Sequence, residues 1–260
     1  MKILLIDAYN MIHRARHSFK FSKDNTTFGF FRCLKSEIDR HSPDAVFIVN
    51  EGKPKYRKEV YPEYKSNRKK EYDENFIRQI NDIFDICKHL PVTVIRHPDY
   101  ECDDVIAMMC NDSKYSEITI CSSDSDFIQL ISDKVSLWNP VKKKFIEKWP
   151  VDYLTWKSLK GDSSDNIPGV RGVGEKTANK LAGSKEKLNE FFIKKPGLKK
   201  DFELAMDLIR FQPVNLSDEN IECNSYSFEE KDLKSKFEKR SFNSITQKSW
   251  ESWKETFRNL

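Results

Sequence analysis

The residues of this sequence best suited to chemistry are carboxylates that recur where apolar runs end. Asp7 closes the run Lys2–Asp7, Asn50-Glu51 ends Ala45–Asn50, and Asp124-x-Asp126 follows Glu117–Ser123. Glu101-Cys102-Asp103-Asp104 comes soon after Val92–His97 and opens a helical stretch, Val105–Cys110. Asp162 and Asp165 stand in Gly161-Asp162-Ser163-Ser164-Asp165-Asn166-Ile167-Pro168-Gly169. Each alone is adequately explained as a surface acid or a cap. Asp103 and Asp104 would complement a helix dipole, and Asp124 would cap a helix starting near Phe127. Jointly that explanation weakens, because close carboxylates raise each other's pKa unless cations neutralise them. Oxygen donors without a Cys or His pattern suit Mg²⁺ or Mn²⁺ rather than Zn²⁺. Two such ions about 3.5–4 Å apart form a clamp for phosphodiester hydrolysis. Metal-assisted phosphoryl transfer is the chemistry expected.

Two further segments would serve such a site. Gly52–Arg78 interleaves Lys53, Lys55, Arg57, Lys58, Lys65, Arg68, Lys69, Lys70 and Arg78 with Tyr56, Tyr61, Tyr64 and Tyr72. Acids are mixed in, so a solvated, salt-bridged helix pair is the bland reading. Its departure from the second strand, beside the acidic rim, favours a gate for a phosphate polymer, with cations on phosphates and tyrosines on unpaired bases. Gly169-Val170-Arg171-Gly172-Val173-Gly174-Glu175-Lys176-Thr177-Ala178 places three glycines before a helix start, a combination that grips phosphate without reading sequence. No strand precedes it and the Walker spacing is absent, so it is neither a dinucleotide fingerprint nor a P-loop.

The elements that must position these residues alternate in type. The five runs Lys2–Asp7, Ala45–Asn50, Val92–His97, Glu117–Ser123 and Lys134–Asn139 read as buried strands. Thr27–Arg40 and Asn75–Leu90 between them carry a helical apolar period. Alternation predicts an α/β fold with a parallel-rich central sheet flanked by helices, whose ligands sit beyond the carboxyl ends of the strands. After Pro150 helices and Gly-rich turns take over with no convincing strand, so the division expected is 1–148 and 149–260. Lys231–Lys239 reads as a helix or a solvated connection, and Phe237, Phe242, Ile245, Trp250 and Trp253 as core packing.

Composition narrows the class. Hydrophobic residues at 38% and charged residues at 33% exclude disorder and fibrous repeats. No apolar run is long enough to span a membrane, and Asp7 comes too early for a signal peptide. Six cysteines without a CxxC pair imply reduced thiols and a cytoplasmic setting.

The order and wording of these motifs resemble the 5′-nuclease family: flap endonucleases and the 5′→3′ exonuclease domains of bacterial DNA polymerase I, especially the free-standing phage enzymes. The pieces that carry the resemblance are Asp7-x-x-Asn10, Arg57, Tyr64-Lys65-x-x-Arg68, Glu101-x-Asp103-Asp104, Asp124-x-Asp126 with Gln129-Leu130, and Gly161-Asp162 through Ala178. It covers Asp7 to about Leu181 and implies a PIN-like core followed by a helix–three-turn–helix DNA clamp, with the C-terminal helices packing back on the core. It also implies a monomeric, metal-dependent nuclease acting on DNA with 5′ ends, flaps or branches (RNA primers included), linked in function to a polymerase in replication or repair. By the resemblance Asp7, Glu101, Asp103 and Asp104 shape a first metal site, Asp124 lies near both ions, and Asp126, Asp162 and Asp165 shape a second. Lys65 and Arg68, on a helix bordering the gateway, would steady the scissile phosphate. Tyr64 would stack on a displaced base, and Arg57, Lys69 and Lys70 would bind DNA. Gly172, Gly174, Lys176 and Thr177 would hold duplex DNA, with a K⁺ ion bridging to phosphate.

The sequence departs from the family pattern where Asn50 replaces an Asp seven residues before Arg57. Either Glu51 supplies the missing carboxylate, or the chain is a junction-binding protein that cleaves weakly. Few residues separate Arg68 from Phe76, so a short gateway over 66–76, mobile without DNA, is expected. The net charge of +4 also changes meaning, because setting aside eight pocket acids leaves +12 for the rest of the chain. That predicts a basic nucleic-acid surface and binding that weakens steeply with salt.

Overall fold

The computed structural model describes every residue except 19–22, 69–71 and 216. Its strands are β1 (Lys2–Asp7), β2 (Ala45–Val49), β3 (Thr93–Arg96), β4 (Glu117–Cys121), β5 (Val135–Asn139), β6 (Lys144–Ile146) and β7 (Glu222–Ser225). They form one sheet in the order β6-β5-β4-β1-β2-β3-β7. The five inner strands run parallel, and β6 and β7 close the edges antiparallel. Pairing sets Asp7 beside Val49 and Ile6 beside Cys121, so the carboxyl ends of β1, β2 and β4 are neighbours. The chain reverses its direction of travel across the sheet between β1 and β4, which leaves a crevice at that end.

The helices are α1 (Ala8–Ser18), α2 (Asn25–His41), α3 (Lys55–Val60), α4 (Glu74–Cys87), α5 (Cys102–Asn111), α6 (Tyr153–Lys160), α7 (Glu175–Ala182), α8 (Lys185–Lys194), α9 (Lys199–Ile209), α10 (Glu230–Glu238), α11 (Asn243–Thr246) and α12 (Trp250–Arg258). Side chains alternate across a strand, and β1 shows the result: Leu4 and Ile6 join a core with α1, α2 and α4, whereas Ile3 and Leu5 join one with α5. Asp73 starts α4 by accepting from the Phe76 amide at 2.8 Å, and Phe76, Ile80, Ile83 and Cys87 form its buried face. A smaller core built on Leu159, Val170, Ala178, Leu181, Phe192 and Phe202 holds α6 to α9 together.

The C-terminal aromatics are core, as their pattern suggests. Phe237, Phe242, Ile245, Trp250, Trp253 and Phe257 lie buried in the same cluster as α2. Two strands escaped the sequence. β7 follows Pro150 and was not expected, because all four of its residues are exposed and none gives an apolar alternation. β6 is a three-residue edge strand with two exposed positions. The stretch Lys231–Lys239 resolves as a helix, α10, anchored by buried Leu233 and Phe237. The gateway expected over 66–76 includes residues 69–71, which lie outside the described residues. All six cysteines are free thiols. Among the described residues no helix is long and apolar enough to cross a membrane.

Candidate active site

A cleft of about 500 Å³ opens at the carboxyl ends of β1, β2 and β4, and Asp7, Glu51, Asp103, Asp124 and Asp165 line it with Lys65 and Arg68. Asp7 leaves β1 with its oxygens fixed by the Asn10 amide at 3.0 Å and the Ser122 hydroxyl at 2.8 Å. Ser122 also accepts from the Asp124 amide at 3.1 Å, and Asp124 accepts from the Asp126 amide at 2.9 Å. The β4 exit is thereby folded against the end of β1. The turn that follows is 3₁₀ (Asp126–Leu130) with Ser125, not Asp124, at its cap position and no side-chain cap bond.

At the β2 exit the carboxylate in the cleft is Glu51. Its Oε2 accepts from the Cys102 amide at 3.2 Å, at the start of α5. The Asn50 oxygen instead accepts from the Glu51 amide at 2.8 Å, and Asn50 does not line the cleft. Gly52 permits this path, since a Cβ there would stand 1.9 Å from the His97 carbonyl oxygen.

Asp7, Glu51, Asp103 and Asp124 form no salt bridge among the described residues. Burial raises Asp7 from 3.8 to about 6, with Asp124 adding to the shift. Burial and then Glu101 raise Glu51 from 4.5 to about 7. Asp103 is pushed well above its ordinary value by burial, then by Asp124, Asp7 and Glu51. Fixed oxygen donors that repel one another fit a hard divalent cation, whose charge would relieve the repulsion.

The neighbouring acids are paired. Arg57, only 4% exposed, uses all five N–H donors. They go to Asp104 at 2.7 and 2.8 Å, Glu101 at 2.9 Å, and the carbonyls of Leu208 at 2.8 Å and Arg210 at 3.0 Å. Asp104, fully buried, also accepts from the Gln212 amide at 2.8 Å. Glu101 and Asp104 cap α5 reciprocally. Tyr64, 3% exposed, donates to Glu101 at 2.9 Å. Lys65 pairs with Glu101, and Arg68 pairs with Asp165. Lys157 bridges Asp126 and Asp162, the latter at 2.7 Å. Burial opposes ionisation of Glu101, but Lys65 and Arg57 outweigh it and lower its pKa.

Four expectations need correction here. Asp104 has no exposed surface for a metal, because Arg57 and backbone amides occupy both oxygens. Arg57 is an internal tie whose donors are all used within the chain. Tyr64 has no exposed ring on which a base could stack. Lys65 and Arg68 stand in successive turns rather than on a helix, with Lys65 at φ 55°. Lys69 and Lys70 lie outside the described residues.

The glycine-rich turn faces outward. Gly172 has φ 78°, the left-handed region, and nothing lies within 4 Å of a Cβ built at Gly172 or Gly174. Gly172, Gly174, Lys176 and Thr177 are all exposed where α7 begins. Packing within the chain therefore does not demand glycine at Gly174, which leaves this backbone open to approach.

Two features escaped the sequence reading. Lys157 looks like one more surface lysine, yet it falls four residues after buried Tyr153 on α6, on the inward face. On α1, His13, Arg14 and His17 line the cleft beside Asn10, which the motif had already singled out. Their i, i+3, i+4, i+7 spacing was the available signal.

The sequence matches the family model of the 5′-3′ exonuclease N-terminal resolvase-like domain over residues 2–154. It also matches that of the 5′-3′ exonuclease C-terminal SAM fold over residues 148–212. The chain belongs to the 5′-3′ exonuclease family. A 5′-3′ exonuclease of Aquifex aeolicus is 34% identical over 223 residues, 76% of this chain and 76% of that protein. DNA polymerase I of Treponema pallidum is 34% identical over 202 residues, 69% of this chain and 20% of the polymerase. The chain thus spans about a fifth to a quarter of the length of the first polymerase I relatives it matches. In fold it is similar to the bacteriophage T5 flap endonuclease solved as a pseudo-enzyme-product complex with DNA and metal ions. That likeness has a TM-score of 0.62 and 21% identity, and covers 100% of this chain and 99% of that one. In this 5′-3′ exonuclease family member, the resolvase-like match covers β1 to β6 and most of the cleft residues, and the SAM-fold match covers Asp162, Asp165 and the glycine-rich turn.

Proposed function

We propose that this chain is a structure-specific 5′ nuclease that hydrolyses phosphodiester bonds in DNA with 5′ ends, flaps or branches, with Mg²⁺ or Mn²⁺ as cofactor. The observation that carries the reading is a cleft floored by carboxylates without salt bridges and rimmed by Lys65 and Arg68. Asp7, Glu51, Asp103 and Asp124 would hold a first ion, with Glu101 joining if Lys65 turns away. Asp126, Asp162 and Asp165 would hold a second, once Lys157 and Arg68 give way. Such ions supply, when bound, polarisation of the scissile phosphate and a stronger nucleophile. Glu51 takes the part that Asn50, a neutral amide turned to the backbone, does not fill.

The chain's own groups do the positioning. Lys65 and Arg68 hold acids now and would exchange them for the scissile phosphate, steadying its developing charge. The α1 face with Asn10, His13, Arg14 and His17 offers polar contacts along the strand. Gly172, Gly174, Lys176 and Thr177 would take duplex phosphates, with K⁺ at the exposed backbone carbonyls. Lys69 and Lys70 would add cations for DNA phosphates. The DNA and metal ions of the T5 neighbour support this assignment, and the polymerase I relatives support a link to replication or repair, where RNA-primed 5′ strands are also substrates. A monomer in the cytoplasm fits the free cysteines.

The test is cleavage of a 5′-labelled flap DNA with Mg²⁺ and with a chelator. Short products that require metal are expected. Shifted but intact DNA at saturating Mg²⁺ and Mn²⁺ would leave a junction-binding protein and defeat the proposal.

A further inference from the structure

The acids of the second set are filled from inside the protein. Lys157 reaches from α6 to two carboxylates at once, Asp126 after β4 and Asp162 in the loop after α6, the latter at 2.7 Å. Its side chain is buried, so the ammonium is withdrawn from solvent, and both partners are fixed in place. The other oxygen of Asp162 accepts from the Ser164 amide at 2.8 Å and the Ser164 hydroxyl at 2.6 Å. The Asp126 amide donates to Asp124, which lines the cleft, so this pair adjoins the acids that have no salt bridge. Arg68 and Lys65 reach Asp165 from the rim. On the same helix as Lys157, Lys160 reaches Glu175 at 3.2 Å, and Glu175 follows Gly174 as the first residue of α7. One side chain of α6 thus touches the acids, and another touches the helix that leaves the glycine-rich turn.

We propose that Lys157 is a positioning residue, an internal counter-ion of the second metal site, which limits the protein without DNA to one divalent ion and makes entry of the other depend on bound DNA. The proposal rests on the reading of the cleft as a two-ion nuclease site. An ammonium in contact with Asp126 and Asp162 excludes a divalent ion from the same oxygens, because the two cations would repel at contact distance. A lysine is a point charge on a flexible stem, so it can leave two carboxylates for another anion without its helix moving. The anion this cleft receives is a phosphate strand, and the same strand would draw Arg68 and Lys65 from Asp165. DNA and the second ion then bind cooperatively, each raising the affinity for the other by one common factor. The site completes itself only around a substrate, and Lys157 keeps Asp126 and Asp162 in register until then. Only ion pairs are exchanged, and no covalent bond forms or breaks.

Bound Mn²⁺ is counted by paramagnetic resonance on the whole chain, with and without a 5′-flap DNA. Samples with DNA are frozen before cleavage proceeds, and the ions held by DNA alone are subtracted. One ion is expected without DNA and two with it. Lys157→Met should take up two ions without DNA, its second site at least about tenfold tighter than any second site of the unaltered protein. Lys157→Arg, which keeps the charge, should return the count to one. If Lys157→Met does not fold, Asp162→Asn answers instead: it should keep one ion without DNA and lose the ion that DNA brings. Two ions of similar affinity in the unaltered protein without DNA would overturn the proposal. So would a single ion in folded Lys157→Met, or a count that stays at one when DNA is bound, and either leaves the first metal site standing. Protein that takes up no Mn²⁺ with or without DNA sinks the two-ion reading itself.

Discussion

Asp7, Glu51, Asp103 and Asp124 face the cleft without a salt bridge, whereas Glu101, Asp104, Asp126, Asp162 and Asp165 on the same rim each hold a Lys or Arg. The two groups share residue type and neighbourhood, and differ in what neutralises them. Two like charges at about 4 Å repel by roughly 4 kcal/mol at an effective dielectric near 20. Burial, with repulsion added to it, raises Asp7, Glu51 and Asp103, whereas their cations lower Glu101 and Asp162; Asp126 is raised to about 6 by burial even beside Lys157. Internal cations therefore mark acids the fold uses or holds in reserve, and their absence marks acids kept for an external cation.

The largest expected effect falls on the unpaired group. Asp103→Asn should lower Mg²⁺-dependent cleavage on the order of a hundred- to thousandfold. It should also raise metal-free stability by on the order of 1 kcal/mol as repulsion is removed. Loss of both activity and stability would erase the distinction between the groups. Next comes Arg57→Ala, which strands buried Asp104 without a cation and takes one of two cations from Glu101. A stability loss of about 3–5 kcal/mol is expected in urea unfolding, and an unchanged midpoint would show that Arg57 is not structural.

A smaller effect follows from pH. Asp7 and Glu51 have folded pKa values of about 6 and about 7 against ordinary values of 3.8 and 4.5. Raised carboxylates favour the folded state below their ordinary values and lose that contribution as pH rises through the folded ones. The melting temperature of metal-free protein should thus decline from about pH 4.5 to about 7.5, and saturating Mg²⁺ should flatten the decline. A melting temperature that rises across the window without metal contradicts the raised values. The smallest effect separates two neighbours. Glu51→Gln should weaken the Mg²⁺ dependence of cleavage at least about tenfold, and Asn50→Asp should change it less than about threefold. The reverse order would return the ligand role to position 50.

Much of this arrangement was legible because it depends on local order along the chain. Short apolar runs alternating with helices of period 3.6 gave the sheet, and acids at strand ends gave the rim. What was hidden depends on partners distant in sequence. Nothing around Arg57 distinguishes it from Lys55 or Lys58, since its donors end on residues 101, 104, 208 and 210. Tyr64 looked like a stacking residue for the same reason. The choice of Glu51 over Asn50 was also hidden, because β2 ends at Val49 and the chain then turns under His97 through Gly52. Side chains beyond the ladder no longer obey strand alternation.

Arg57 has a mechanical consequence. Its guanidinium joins α3 to the first residues of α5 and to the end of α9, so three segments on either side of the cleft meet at one planar group. Such a strut keeps the helices that carry the outward-facing glycine turn at a constant offset from the acids. Duplex gripped at that turn would then present its strand to the cleft at a constant reach, and the molecule would work as a ruler. The incision would fall a set number of nucleotides from the junction, and shortening the strut by Arg57→Lys would blur that length before it slowed the cut.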